Sequence, residues 1–252
     1  MRTKRRVLGQ HFLNSSRFAE RIAQIAKVED KVVVEIGSGK GILTRQLAKK
    51  AEKVMAVEID HRLAYYLQEL RLPGVHVINR DFLRIDLRNW GSSVVVGNIP
   101  YSITTAILQK LVNDKKYVER VLLTVQKEYA ARMMAAVGNY EYGYISIYAN
   151  HHFQIRKAFN IPSRYFSPRP KVSSVVITLT PRQSAYDIAY EARLFEFIAG
   201  VFHYRRKFLK NAILNCGGFL PKGIDDHRFG QRPQHLSFDD YHEIYRMISG
   251  PS

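Results

Sequence analysis

The sequence predicts an α/β fold, a parallel sheet covered by helices on both faces, followed by a small helical domain. Three observations carry this. Short apolar runs end at glycines or polar turn residues, helix-period segments alternate with them from Lys31 to Gln126, and the strand pattern stops beyond Pro181.

Residues 15–28 read as a helix, with Phe18, Ile22, Ile25 and Ala26 on one face. Val32–Ile36 is a buried strand that runs into glycines, followed by a helix over Ile42–Lys50. Val54–Ile59 is a second strand, with a helix from Arg62 to Leu70, and Val75–Ile78 a third. Val94–Val96 and Val118–Val125 are the fourth and fifth, separated by a helix over Ser102–Leu111. Lys127–Met134 continues as a helix. Tyr144–Phe153 and Val172–Leu179 read as late strands forming a hairpin-like edge, and Pro181–Ser184 as a linker. Glu191–Leu214 carries Leu194, Phe197, Ile198, Val201 and Phe202 at helical spacing. Ser237–Asp240 has the form of a capping box opening a last helix through Ile248. These elements place one domain at residues 1–182 and a helical one at 183–252.

The chain of 252 residues is 46% apolar, enough for a sizeable core, but no run of about 18 apolar residues suggests a membrane span. The basic start Met1–Arg6 leads into Gly9–Leu13 instead of an apolar signal core, so a secretory signal is not expected and the cytoplasm is the expected compartment. Thirty-nine Lys and Arg against 22 Asp and Glu give a net charge of +17. That balance favours a polyanionic partner. The basic residues are scattered among 15 Tyr and 13 Phe, which points to nucleic acid ahead of a lipid surface. The single cysteine, Cys216, excludes an internal disulfide and a cysteine-based zinc cluster. His151 and His152, read as neighbours in a strand, would face opposite ways and chelate poorly, so no metal is expected. A monomer is expected.

Chemistry concentrates at the strand ends. Glu35-Ile-Gly37-Ser-Gly39-Lys-Gly41 lies between a strand and a helix, where glycines allow a sharp turn and a close backbone approach to a nucleotide or nucleoside. Ile42 departs from the dinucleotide fingerprint, and the Gly-Lys-Ser/Thr of a phosphate-binding P-loop is absent. A tight turn alone would also explain the glycines. Glu58 follows about twenty residues after Gly37, where a carboxylate can accept from both hydroxyls of a ribose. Asp81, past the third strand, can accept from an adenine amino group. The fourth strand ends in Gly97-Asn98-Ile99-Pro100-Tyr101. Asn98 and the carbonyl of Ile99 can accept the hydrogens of an exocyclic amine, Pro100 fixes the turn, and Tyr101 offers a ring for a flipped base.

Taken together, Gly9-Gln-His-Phe-Leu13, the glycine loop, Glu58-Ile59-Asp60, Asn98–Tyr101, Gln126-Lys-Glu128 and Ser167-Pro-Arg-Pro-Lys-Val172 resemble the ribosomal RNA adenine dimethyltransferase family. The resemblance spans nearly the whole chain. It implies a Rossmann-like class I methyltransferase that uses S-adenosylmethionine, with a helical C-terminal domain that binds RNA. It further implies that His11 and Leu13 line the methionine end of the cofactor site, that Gly37 and Gly39 form its loop, that Glu58 holds the ribose, that Asp81 holds the adenine, and that Ile59 and Phe82 belong to the same cofactor site. Asn98 then borders both cofactor and target base, Ile99, Pro100 and Tyr101 complete the base site, and Phe166 matches an aromatic that sandwiches the base. Core packing explains Phe166 equally well from sequence alone.

Within that family, Phe202–Ile213, with Arg205, Arg206, Lys207 and Lys210, resembles the basic helix of the KsgA-type, small-subunit enzymes, and these cations can grip RNA phosphates. A solvated helix face is the plain alternative. The expected partner is therefore small-subunit ribosomal RNA or a precursor particle. Erm-type methylation of large-subunit RNA, linked to macrolide-type resistance, is the runner-up, because Asn98–Tyr101 suits it too. A non-catalytic assembly factor on the same fold would be expected to lack an intact Glu58, Asp81, Asn98 and Tyr101. A DNA adenine methyltransferase usually carries a second proline where Ile99 stands, together with a separate target-recognition domain. A nicotinamide dehydrogenase is disfavoured by Ile42.

Overall fold

The computed structural model describes residues 11–99, 101–220 and 226–249, with Tyr101 described by its backbone alone. The chain divides into two compact units, residues 1–130 with 154–181 and residues 131–153 with 182–252. A single cut after residue 182 therefore misses one feature: residues 131–153 group with the C-terminal stretch.

The first unit begins with β1 (Phe12–Leu13), α1 (Ser16–Ala26), β2 (Val32–Ile36), α2 (Ile42–Leu47), β3 (Lys53–Glu58), α3 (His61–Glu69) and β4 (Val75–Asn79). It continues through β5 (Ser93–Asn98), α4 (Thr104–Asn113) and β6 (Val118–Gln126), and the chain leaves it along α5 (Lys127–Met134). It returns for β7 (Phe153–Ile161), β8 (Phe166–Ser167) and β9 (Ser174–Pro181). The sheet has seven strands in the order β4-β3-β2-β5-β6-β9-β7, and β1 pairs separately with β8. Strands β4, β3, β2, β5 and β6 are parallel and β9 is antiparallel to β6. Val33, Val34, Val94–Val96 and Val121–Leu123 are buried, as strands covered on both faces require.

Helix α1 turns Ala19, Ile22, Ala23 and Ala26 into a core shared with Val33, Leu43, Val54, Val96, Phe159, Ile161 and Phe166. Truncating a fully buried member such as Ile22 to alanine costs about 2–5 kcal/mol. The register aligns the carboxyl ends of the strands. Ile36 stands opposite both Val57 and Gly97, and Glu58 opposite Asn79. Strand β2 has β3 on one side and β5 on the other, so the order reverses there. The crevice outside that reversal is where open α/β sheets bind ligands.

The second unit holds α6 (Tyr144–His152), α7 (Ile188–His203), α8 (Leu209–Asn215) and α9 (Phe238–Ser249). Residues 144–152, expected as a strand, are helical. The segment is buried on nearly every side, at Ile145, Ser146, Ile147, Tyr148, Ala149 and His152, so no apolar stripe marks a helical period. Its start is fixed by the Ser146 hydroxyl, which accepts from the Gly143 N–H at 3.0 Å. The stretch expected as one helix over 191–214 breaks at residues 204–208, between α7 and α8. At the start of α9 the Ser237 hydroxyl accepts from the Asp240 N–H at 3.1 Å and the Asp240 carboxylate accepts from the Ser237 N–H at 2.8 Å, a reciprocal cap. Among the described residues no helix is long and apolar enough to cross a membrane.

Candidate active site

The turn from β2 into α2 shapes the site. Gly39 (φ +54°) and Gly41 (φ +76°) both sit in the left-handed region, and a Cβ at Gly41 would lie 2.6 Å from a Leu67 methyl. The loop is anchored to the end of β3. The Gly37 and Ser38 N–H groups both donate to the Val57 carbonyl, at 2.9 and 3.2 Å. The Glu58 carboxylate then accepts the Gly39 N–H at Oε2 and the Asp60 N–H at Oε1, each at 2.9 Å. Burial raises the Glu58 carboxyl above its usual range, against those two backbone bonds, which favour the charged form. One oxygen of Glu58 is thus tied to the glycine loop and the other to the start of α3.

A small cleft opens beside this loop, between Phe12, Leu13, Gly37, Gly39, Ile42, Leu43 and Asn98. Of the residues proposed from sequence, Leu13, Gly37, Gly39 and Asn98 meet here. Glu58 braces the loop without bordering the cleft, and neither Ile59, half-exposed, nor Phe82, buried, lines it. Asp81 opens a short turn over Phe82–Arg84, its Oδ1 accepting from the Leu83 N–H at 3.0 Å. Several wall residues, Phe12 and Glu35 among them, had no role assigned from sequence. Phe12 packs so tightly on Gly39 that a Cβ there would lie 2.9 Å from its ring. Glu35, also on the wall, accepts from the Thr44 hydroxyl at 2.6 Å, and burial pushes its carboxyl up to about 8. Both stand inside quoted motifs, Phe12 next to His11 and Glu35 two residues before Gly37, which was the available signal.

Asn98 closes the cleft at the end of β5. Its amide Nδ2 donates to the main-chain carbonyl of His11 at 2.7 Å, and its Oδ1 has no donor among the described residues. His11 itself is held by Nδ1, 2.7 Å from the Pro168 carbonyl. The next residues are stitched to the same loop, with Phe12 opposite Ser167, Leu13 opposite Phe166, and the Asn14 N–H on the Tyr165 carbonyl at 2.9 Å. Phe166 is 3% exposed and packs in the core of the first unit beside Leu13. In this conformation its ring serves packing, the plainer of its two sequence readings. Ile99 is buried. Pro100 and the Tyr101 ring lie outside the described residues, while the Tyr101 backbone opens a tight helical turn over Tyr101–Ile103.

The glycine loop at the sheet's reversal point and the Asn98 amide, whose Oδ1 has no donor among the described residues, thus border one cleft. The family model for ribosomal RNA adenine dimethylase matches residues 1–241. The chain belongs to the ribosomal RNA adenine dimethylase family. A ribosomal RNA small subunit methyltransferase A from Desulfitobacterium hafniense is 38% identical, covering 96% of this chain and 91% of the relative. The protein of the same name from Thermotoga neapolitana is 36% identical over 95% and 90%. Among solved structures, a dimethyladenosine transferase from Plasmodium falciparum superposes with a TM-score of 0.80 at 24% identity, covering 95% of this chain and 98% of that one. The 23S rRNA methyltransferase ErmE gives 0.71 at 26% identity, over 95% and 100%. The dimethylase fold is thus shared along almost the full length.

The remaining expected residues of this dimethylase lie in its second unit. Arg205, Arg206 and Lys207 occupy the turn between α7 and α8 instead of a helix, and Lys210 is in the first turn of α8. Arg205 donates to the Tyr140 carbonyl at 3.1 Å and Lys207 to the Asn215 side chain at 2.9 Å, while Arg206 and Lys210 are exposed. His151 and His152 are helical neighbours, so the argument from strand geometry against a chelate does not hold. Their donor atoms and those of Glu191 lie within 4.8 Å of one another. Glu191 accepts from the Ser184 hydroxyl at 2.6 Å and lies 2.5 Å from His151 Nε2. Burial raises the Glu191 carboxyl, but these bonds outweigh it and hold the group below its usual value.

Proposed function

We propose that this chain transfers two methyl groups from S-adenosylmethionine to the exocyclic nitrogen of adenine in small-subunit ribosomal RNA. The observation that carries the reading is the orientation of Asn98. A carbonyl can only accept, so the bond to His11 fixes the amide with Nδ2 toward residue 11 and Oδ1 toward whatever amine enters beside the cleft.

The residues fit a sulfonium nucleoside. Gly39 gives the backbone close approach, Phe12, Leu13, Ile42 and Leu43 offer apolar walls, and Glu58 retains a lone pair on each oxygen for a ribose hydroxyl. Asp81 Oδ2, which carries no bond like that at Oδ1, suits an adenine amine. His11, Ile59 and Phe82 complete this set. When bound, S-adenosylmethionine supplies an electrophilic methyl group.

The chain's own work is alignment. Asn98 Oδ1 and the Ile99 carbonyl accept the two amine hydrogens of the target adenine, which turns the nitrogen lone pair away from them as the nitrogen becomes tetrahedral. Pro100 and Tyr101 hold the flipped base, and the proton leaves the nitrogen after transfer. Phe166 supports the site by packing under Leu13, and a stacking role would require it to leave that position. Arg205, Arg206, Lys207 and Lys210 grip phosphates in this scheme. The enzyme acts in the cytoplasm as a monomer and without a metal. Relatives 36–38% identical carry a small-subunit name, which favours that target over the large-subunit one of ErmE at 26%.

The test offers undermethylated small-subunit particles and protein-free large-subunit RNA in parallel, with dimethyladenosine quantified by mass spectrometry. Product on the small-subunit particles alone is expected. Product on large-subunit RNA alone overturns the target, and absence of product on both overturns the reading.

A further inference from the structure

We infer that the second unit carries a stacking surface for unpaired RNA bases, built from Tyr140 and Phe208 among the cations of the α7–α8 turn. The inference rests on the RNA substrate proposed above and adds a recognition element to it. Tyr140 is 85% exposed and Phe208 is 51% exposed. Neither position is a loose end. Tyr140 sits in a turn where Asn139 Oδ1 accepts from the Glu141 N–H at 2.8 Å and the Tyr142 N–H returns to the Asn139 carbonyl at 3.0 Å. The Tyr142 hydroxyl anchors that turn by donating to the buried Leu236 carbonyl at 3.0 Å, and the Gly138 N–H reaches the Gln234 carbonyl at 3.0 Å.

Phe208 is the residue before α8, and the following N–H, of Leu209, donates to the Gln231 carbonyl at 2.7 Å. The Arg205 guanidinium bonds the Tyr140 carbonyl at 3.1 Å, which ties the two turns together. Arg206, Lys207 and Lys210 are exposed around Phe208 in the chain. A single exposed aromatic is ordinary. Two of them on hydrogen-bonded turns, tied together by an arginine and flanked by three further cations, match the chemistry of single-stranded nucleic acid. Cations track the phosphates there and ring faces accept bases of any identity. A protein partner with an acidic face is the competing occupant, but stacking rings give it no particular advantage.

The experiment measures binding of the full-length protein to protein-free small-subunit RNA and to undermethylated small-subunit particles over a range of salt. Tyr140→Leu and Phe208→Leu are compared with Tyr140→Phe and Phe208→Tyr. Each leucine variant is expected to weaken RNA binding about fivefold or more, with the salt slope unchanged because stacking releases no counterions. The aromatic replacements are expected to bind like the parent, and S-adenosylmethionine affinity to stay constant throughout. Unchanged affinity in the leucine variants overturns the inference, as does an equal loss in the aromatic ones. A loss on particles with none on free RNA also overturns it, in favour of a ribosomal protein. A parent protein that neither binds nor methylates the RNA would instead remove the function on which the inference rests.

Discussion

The Asn98 side-chain amide donates to the His11 main-chain carbonyl at 2.7 Å, joining residues 87 positions apart across the mouth of the cleft. A carboxylate at position 98 has no hydrogen to give and would set its negative charge against the partially negative carbonyl oxygen of His11. Asn98→Ala and Asn98→Asp are therefore both expected to lower kcat by roughly 10²–10³. Dimethyladenosine yield in single-turnover reactions measures this. Aspartate at near-parental activity would show that amide orientation is irrelevant.

Glu58 is expected to matter twice. Its two oxygens accept the Gly39 and Asp60 N–H groups. Glutamine retains one acceptor and turns an NH2 toward the other N–H, leaving a buried donor unsatisfied at a cost of about 1–3 kcal/mol. Glu58→Gln should lose both stability in denaturant melts and S-adenosylmethionine affinity by calorimetry. Parental affinity would remove the ribose role.

Gly39→Ala forces a side chain into a backbone conformation with φ +54° and brings its Cβ to 2.9 Å from the Phe12 ring. The left-handed conformation alone costs an L-residue about 1–2 kcal/mol. The ring must also move within the cleft, so cofactor affinity is expected to fall roughly tenfold or more. Calorimetric titration decides it, and an unchanged Kd would mean that Phe12 is not part of the binding wall.

Glu35 makes stability depend on pH. Burial, the leading cause, pushes its carboxyl from 4.5 to about 8, with Thr44 and Ser38 acting the other way and Glu58 adding to the rise. The unfolded chain releases this proton near pH 4.5, the folded chain only near 8. The contribution is therefore fully present below about 4.5, declines across that window and is exhausted above 8. Glu35→Gln should flatten the fall of Tm between those limits, leaving the smaller slope of the same sign due to Glu58. Parallel profiles for both proteins would contradict the shift.

Arg206 and Lys210 are exposed. If each neutralises a phosphate, alanine at either should reduce the slope of log K against log salt by about 0.7 on single-stranded RNA. Filter binding across a salt series reads this, and a slope equal to that of the parent would leave these residues as ordinary solvated charges.

Much of the parallel sheet was legible because strands covered on both faces must be apolar throughout, as in Val94–Val96 and Val121–Leu123. The glycine turn was legible for the same kind of reason, since few other residues tolerate its backbone. Residues 144–152 were not, because burial on nearly every side leaves no period to read. Strand β7 was obscured by Arg156 and Lys157 in its middle, at the end of the sheet order, where an edge strand carries charge. The break at 204–208 has neither glycine nor proline and left no local signal. In the site, the carboxylates were found at their strand ends. The bond between Asn98 and a main-chain carbonyl was beyond reach, because no side chain at position 11 encodes it.

The second unit is assembled from two stretches of chain, residues 131–153 and 182–252, with three strands of the first unit threaded between them. No single stop codon separates the two. A chain ended at Pro181 would keep α6 without α7 and strip Tyr144 and Tyr148 of the Phe195 ring they pack against. Swapping this unit between relatives means exchanging both segments at three junctions. During synthesis α6 emerges before its packing partner α7 exists, so residues 182–252 complete a fold begun much earlier in translation.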